Sequence, residues 1–102
     1  MNLNALRDEV YQVALECGLW RPDATTMTGA QLVRGQAMEL IYEAGYTQKP
    51  TYAYEIELAD VIIMCMSVAG RFGIDIDEAV RQKMEINKRR ATWKLEMEGE
   101  TK

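Results

Sequence analysis

Apolar residues recur along this chain at the spacing of helix faces, and no stretch shows the strict alternation of a half-buried strand. Over residues 4–17, Leu6, Val10, Val13, Ala14 and Cys17 mark one face of an amphipathic helix, with Asn4 as its N-cap and Gly18 as its stop. Residues 18–27 break the pattern: Pro22 pushes Arg21 out of helical geometry, and Trp20 is the aromatic of this loop. A second helix runs from Thr28 to about Ala44, opened by a capping box between Thr28 and Gln31 and closed by Gly45 as a left-handed cap. Its core face is Ala30, Val33, Ala37, Leu40, Ile41 and Ala44, and Gln36, Glu39 and Glu43 form another stripe. Residues 45–53 read as a helix–helix connection. The stretch Glu55–Phe72 is apolar over most of a helix circumference, the mark of a buried helix, and ends at Gly73. A last helix restarts after Ile74 with Asp75 and Glu78 as a capping box, and directs Ala79, Val80, Met84 and Ile86 to the core.

These elements predict an all-α protein: an antiparallel bundle of three main helices plus a shorter fourth. It forms one helical domain over residues 1–93 with a charged, flexible tail at 94–102. Two or three amphipathic neighbours cannot cover so apolar a third helix, so a homodimer or homotetramer of bundles is expected. Among 102 residues there is no histidine and the formal net charge is -4, which argues against nonspecific nucleic-acid binding and against an anionic membrane surface. The longest apolar block, Val61–Met66, falls far short of the ~18 residues of a membrane span. The opening Met1–Ala5 lacks the basic and apolar regions of a signal peptide. A soluble, cytoplasmic protein is expected, with Cys17 and Cys65 as reduced thiols and Cys65 in the core.

Acidic residues in the apolar third helix change this picture. Glu57 and Asp60 stand three apart, on one helix face. An ionised carboxylate is rarely buried without a partner, since leaving it so costs several kcal/mol. The preceding helix, antiparallel to this one, offers Gln36 and Glu39 at the same spacing. Facing each other, the two helices would aim three carboxylates and one amide at a common point. Oxygen-only donors suit magnesium or manganese, and the want of histidine or paired cysteines weakens the case for zinc. Magnesium typically bridges carboxylates to phosphates, so such a site implies a nucleotide or other polyphosphate. The bland alternative is a pair of solvated carboxylates favoured by the helix dipole. On the last helix, Lys83, Asn87 and Arg90 recur on one face, either as a solvated basic face or as phosphate ligands. Trp20 either covers the end of the bundle or stacks on a base.

Glu57-Leu-Ala-Asp60 followed by Val-Ile-Ile, and Gly73-Ile-Asp-Ile-Asp-Glu-Ala79 followed by Lys83-Met-Glu-Ile-Asn87-Lys-Arg-Arg90, resemble the MazG-like, all-α nucleoside triphosphate pyrophosphohydrolases. The opening Leu6 through Trp20 also looks like the small one-domain members, and the likeness covers roughly residues 4–93. The resemblance implies magnesium-dependent cleavage of a nucleoside triphosphate to monophosphate and pyrophosphate, in nucleotide housecleaning or phage nucleotide management. It casts Glu39, Glu57 and Asp60 as catalytic and, with Gln36, as metal ligands. Lys83, Asn87, Arg90 and Trp20 become nucleotide-binding residues. Gln36 stands where the family carries its first glutamate. Its amide keeps an oxygen donor but loses a negative charge and cannot act as a base. A degenerate relative that binds or sequesters a nucleotide without hydrolysing it is therefore the second reading, and a plain helical oligomerisation module the third.

Overall fold

The computed structural model describes the backbone of residues 2–100 and the side chains of residues 2–91. It contains α1 (Leu3–Glu16), α2 (Thr26–Ala44), α3 (Tyr52–Arg71) and α4 (Ile76–Glu100), and no strand among the described residues. The all-α architecture follows the helical spacing, with α1 the shorter member beside three long helices. α3 is the centre: α1 and α2 both pack along it, and α4 packs chiefly on α1.

Local chemistry sets the helix ends. Gly18 (φ 72) and Gly73 (φ 63) both take the left-handed conformation that glycine adopts without steric cost. In each case the next amide reaches back over the helix end, Leu19 N–H to the Ala14 carbonyl at 3.0 Å and Ile74 N–H to the Ala69 carbonyl at 2.9 Å. Gly45 does not follow suit. Its φ of -68° is right-handed, and α2 ends in a tightened turn with Gly45 N–H shared between the Ile41 and Tyr42 carbonyls. The capping box of α2 lies three residues earlier than the spacing predicts. Thr25 accepts from Thr28 N–H, and the Thr28 hydroxyl accepts from Thr25 N–H, so the helix begins at Thr26.

Asn4 caps a different helix from the one it begins. Its side-chain oxygen accepts from Ile76 N–H at 3.0 Å, and its amide donates to Asp75 Oδ1 at 3.0 Å. Asp77 returns the favour, accepting from Leu3 N–H at 2.9 Å and from Asn4 N–H at 3.3 Å. Arg7 adds a 2.7 Å bond to the Ile74 carbonyl. Two helix N-termini thus satisfy each other's orphan donors, which ties the start of α4 to the start of α1. Beyond this latch α4 continues without a break at residue 93 to Glu100, so the segment expected as a frayed tail begins as helix.

The core is small. Ala14, Trp20, Met66 and Ala69 are its buried apolar residues, joined by Ser67. α3 is buried only in its C-terminal half; Ile56, Leu58, Ile62 and Ile63 are between 43% and 49% exposed. The expected core faces of α2 and α4 are likewise partly open, with Ile41 at 62% and Met84 at 50%. The radius of gyration, 17.2 Å, exceeds the ~13 Å of a compact 100-residue domain.

Candidate functional site

The antiparallel pairing of α2 and α3 sets the site. Residues three apart on each helix share a face, so Gln36 and Glu39 look across at Glu57 and Asp60. Carboxylate oxygens of Glu39, Glu57 and Asp60 all lie within 4.8 Å of one another. Glu39 is exposed, and Glu57 and Asp60 are half-buried. The convergence of the three carboxylates expected from the two spacings is therefore present.

The electrostatics of the cluster are those of a site short of positive charge. The Glu57 carboxyl is held above its usual range by desolvation first, then by the neighbouring carboxylates of Glu39, Asp60 and Glu43. Two buried side-chain oxygens, Gln36 Oε1 and Glu57 Oε2, have no hydrogen-bond partner. A buried acceptor without a donor is uncommon and costly. Both lie on the facing stripes of the cluster. A divalent cation is the species that would satisfy lone pairs and negative charge together, so the residues present fit one. The donor set is oxygen only, and Gln36 contributes a neutral amide oxygen where a fourth charge could stand.

Beside the cluster opens a cleft of about 580 Å³ between α1, α2 and α3. Gln36, Glu39 and Asp60 stand on its polar side, and Val10, Ile63 and Met64 are among its apolar walls. An apolar pocket with a few convergent polar groups is the usual form of a small-molecule site.

Other expected residues fare differently. Trp20 is held in the core. It is 8% exposed, donates from Nε1 to Ser67 Oγ at 2.8 Å, and meets the edge of Phe72 at 6.1 Å. The Arg71 guanidinium lies 5.7 Å from its ring centroid. Trp20 plugs the end of the bundle, the simpler of its two sequence readings. Lys83, Asn87 and Arg90 are all exposed on α4, and none of them lines the cleft. Glu43, placed by its spacing on the same stripe as Gln36 and Glu39 but left out of the expected cluster, is half-buried and acts on Glu57. Its place four residues after Glu39 was the available signal. Glu9, at the α1 wall of the cleft, carried no such signal. Cys17 is exposed and Cys65 half-buried, both free, with burial pushing the Cys65 thiol up.

Comparison with known proteins bears on this geometry. The sequence model of the MazG-like family matches residues 31–102, which include α2 from Gln31 onward and all of α3 and α4. A dATP/dGTP diphosphohydrolase of Cyanophage S-2L is 34% identical over 58 residues, covering 56% of this chain and 55% of that protein. The chain thus spans about half the length of this curated relative. No solved structure matches. No helix among the described residues is long and apolar enough to cross a membrane.

Proposed function

This chain belongs to the MazG-like family, and from that premise we propose that it is a magnesium-dependent nucleoside triphosphate pyrophosphohydrolase. The observation that carries the reading is the convergence of Glu39, Glu57 and Asp60 beside two unpartnered buried oxygens. The three carboxylates and the Gln36 amide would hold the ion, with manganese as a substitute. A bound divalent cation would neutralise the polyphosphate and polarise its phosphoryl oxygens. A carboxylate of the cluster then takes the proton of the attacking water. A new bond forms from water to the α phosphorus, and pyrophosphate departs with the bridging oxygen. The apolar cleft beside the cluster takes the nucleoside, and Lys83, Asn87 and Arg90 orient the phosphates. The relative's activity on dATP and dGTP makes purine deoxynucleotides the first substrates to try. The setting is cytoplasmic nucleotide housecleaning, by a homodimer or homotetramer.

A panel of nucleoside triphosphates with magnesium tests this. Pyrophosphate release that vanishes in Glu57→Ala is expected, and release unaffected by that change contradicts the assignment. One observation favours a second reading, nucleotide binding without turnover: Gln36 leaves the cluster a charge short of the family's pattern. Calorimetric binding without pyrophosphate release, converted to release by Gln36→Glu, would establish it.

A further inference from the structure

The cleft between α1, α2 and α3 carries oxygen-bearing side chains at both ends, and its lining includes no lysine or arginine. Gln36, Glu39 and Asp60 stand at the end shared with the acidic cluster. Glu9 on α1 and Ser67 on α3 also line it, and neither belongs to that cluster.

The direction of α1 places Glu9. Arg7 donates to the Ile74 carbonyl and Tyr11 lies against Gly70, so α1 runs antiparallel to α3. Glu9 is therefore level with the C-terminal end of α3, away from Asp60. Ser67 stands between the two. Asp60, Ile63, Met64 and Ser67 fall at i, i+3, i+4 and i+7, on the one face of α3 that floors the cleft. Asp60 and Ser67 are about 10 Å apart along the helix axis. A sugar and a base reach about that far from a phosphate held beside Asp60.

Charge sets the orientation of a nucleotide here. Without a basic lining residue, the cleft holds a polyphosphate through a cation at the acidic cluster. Glu9 repels the phosphates, so the neutral base takes the end where Glu9 stands. A carboxylate accepts hydrogen bonds and donates none. Glu9 is exposed and belongs to none of the ion pairs among the described residues, which leaves its oxygens to a ligand. Ser67 supplies the opposite partner. It is 2% exposed, and its Oγ accepts from Trp20 Nε1 at 2.8 Å. A hydroxyl that accepts in this way keeps its own proton for another acceptor. Among the described residues no acceptor takes that proton, and Ser67 lines the cleft.

We propose that Glu9 and Ser67 read the base, and that the base they fit is guanine. Guanine presents an acceptor, O6, beside two adjacent donors, N1–H and the 2-amino group. Ser67 donates to O6, and the two Glu9 oxygens accept N1–H and the amino group as a bidentate pair. Adenine and cytosine turn a ring acceptor toward the carboxylate, and thymine offers it one N–H. The inference rests on the cleft being a nucleotide site, as set out above, and adds which base it selects and by which residues.

Calorimetry with magnesium and the α,β-imido analogues of dGTP, dITP and dATP tests it, with inorganic tripolyphosphate as the probe of the metal end. Inosine keeps O6 and N1–H and lacks the 2-amino group. The wild type is expected to bind the dGTP analogue roughly tenfold more tightly than the dITP analogue, the worth of one hydrogen bond to a charged group. The dATP analogue should bind more weakly still. Glu9→Gln, an isosteric change at an exposed position, should narrow the gap between the dGTP and dITP analogues and leave tripolyphosphate binding unchanged. Ser67→Ala, in protein that circular dichroism shows to be folded, should weaken the dGTP analogue and not tripolyphosphate. Equal wild-type affinity for the three analogues overturns the proposal. So does a Glu9→Gln protein that loses tripolyphosphate as much as the dGTP analogue, since Glu9 then serves the metal end. Discrimination between the bases without pyrophosphate release from dGTP upholds the proposal while the hydrolase reading falls. A wild type that binds neither tripolyphosphate nor any analogue overturns both.

Discussion

At the scale of single residues, Gln36 and Glu57 govern the behaviour of the cluster. Glu57 holds its proton above the ordinary value of 4.5 because it is desolvated and faces other carboxylates. A carboxyl whose pKa is raised by folding is bound to more protons in the folded state, so its ionisation destabilises the fold. In the absence of divalent metal the melting temperature should therefore fall as pH climbs from about 4.5 toward neutrality, and Glu57→Gln should flatten that slope. Asp75 works in the opposite sense. Asn4 and the Glu78 backbone hold it below 3.8, so it stabilises the protein above that value and the benefit is lost as acid protonates it. Gln36→Glu adds a fourth negative charge. It should lower the metal-free melting temperature at neutral pH and enlarge the rise on adding magnesium, because a ligand that binds only the folded state stabilises it. A smaller rise than wild type would mean that the amide at 36 is not near the ion. Ser67→Ala tests the other buried polar contact. It leaves Trp20 Nε1–H without its 2.8 Å acceptor, and urea unfolding should show a loss of about 1–3 kcal/mol.

At the scale of helices, α1 and α3 come into close contact at Gly70. A Cβ there would lie 2.5 Å from Tyr11 Cβ and 2.7 Å from Tyr11 Cγ, so the helices could not keep their distance. Gly70→Ala should cost about 1–3 kcal/mol of overpacking, only partly offset by better helix propensity. Gly35 supplies the control, since a Cβ there meets nothing within 4 Å. Gly35→Ala should stabilise the protein by about 1 kcal/mol. The four helices were readable because their apolar spacing and their stops at Gly18 and Gly73 are local signals. The facing acids were readable for the same reason: a spacing of three on each of two adjacent helices leaves little freedom. What could not be read was long-range. Asn4 sits at a helix start, where local reasoning makes it the cap of α1, yet its partners lie more than 70 residues away on α4. Trp20 offered two uses, and only the Ser67 hydroxyl across the core decides between them. Gly45 looked like a left-handed stop because it follows a helix, but the carbonyls of Ile41 and Tyr42 are satisfied without that conformation.

At the scale of the whole molecule, one polypeptide leaves its central helix half uncovered and its longest helix standing clear. The first feature follows from a third helix with more apolar surface than α1 and α2 bury; the second follows from a last helix that is mostly polar and charged over residues 81–91. Exposed apolar residues, Ile41 on α2 and Leu58 on α3, stand close in sequence to Glu39 and Glu57 of the acidic cluster. Everything proposed for that region depends on carboxylates converging because a divalent cation belongs between them. Electron paramagnetic resonance of added manganese measures this directly, since the free ion gives a sharp signal that binding broadens. The account predicts saturable binding by the wild-type protein, competed by magnesium and abolished in Asp60→Asn while the helical circular dichroism is kept. Wild-type and Asp60→Asn proteins that leave the same amount of manganese free would contradict it.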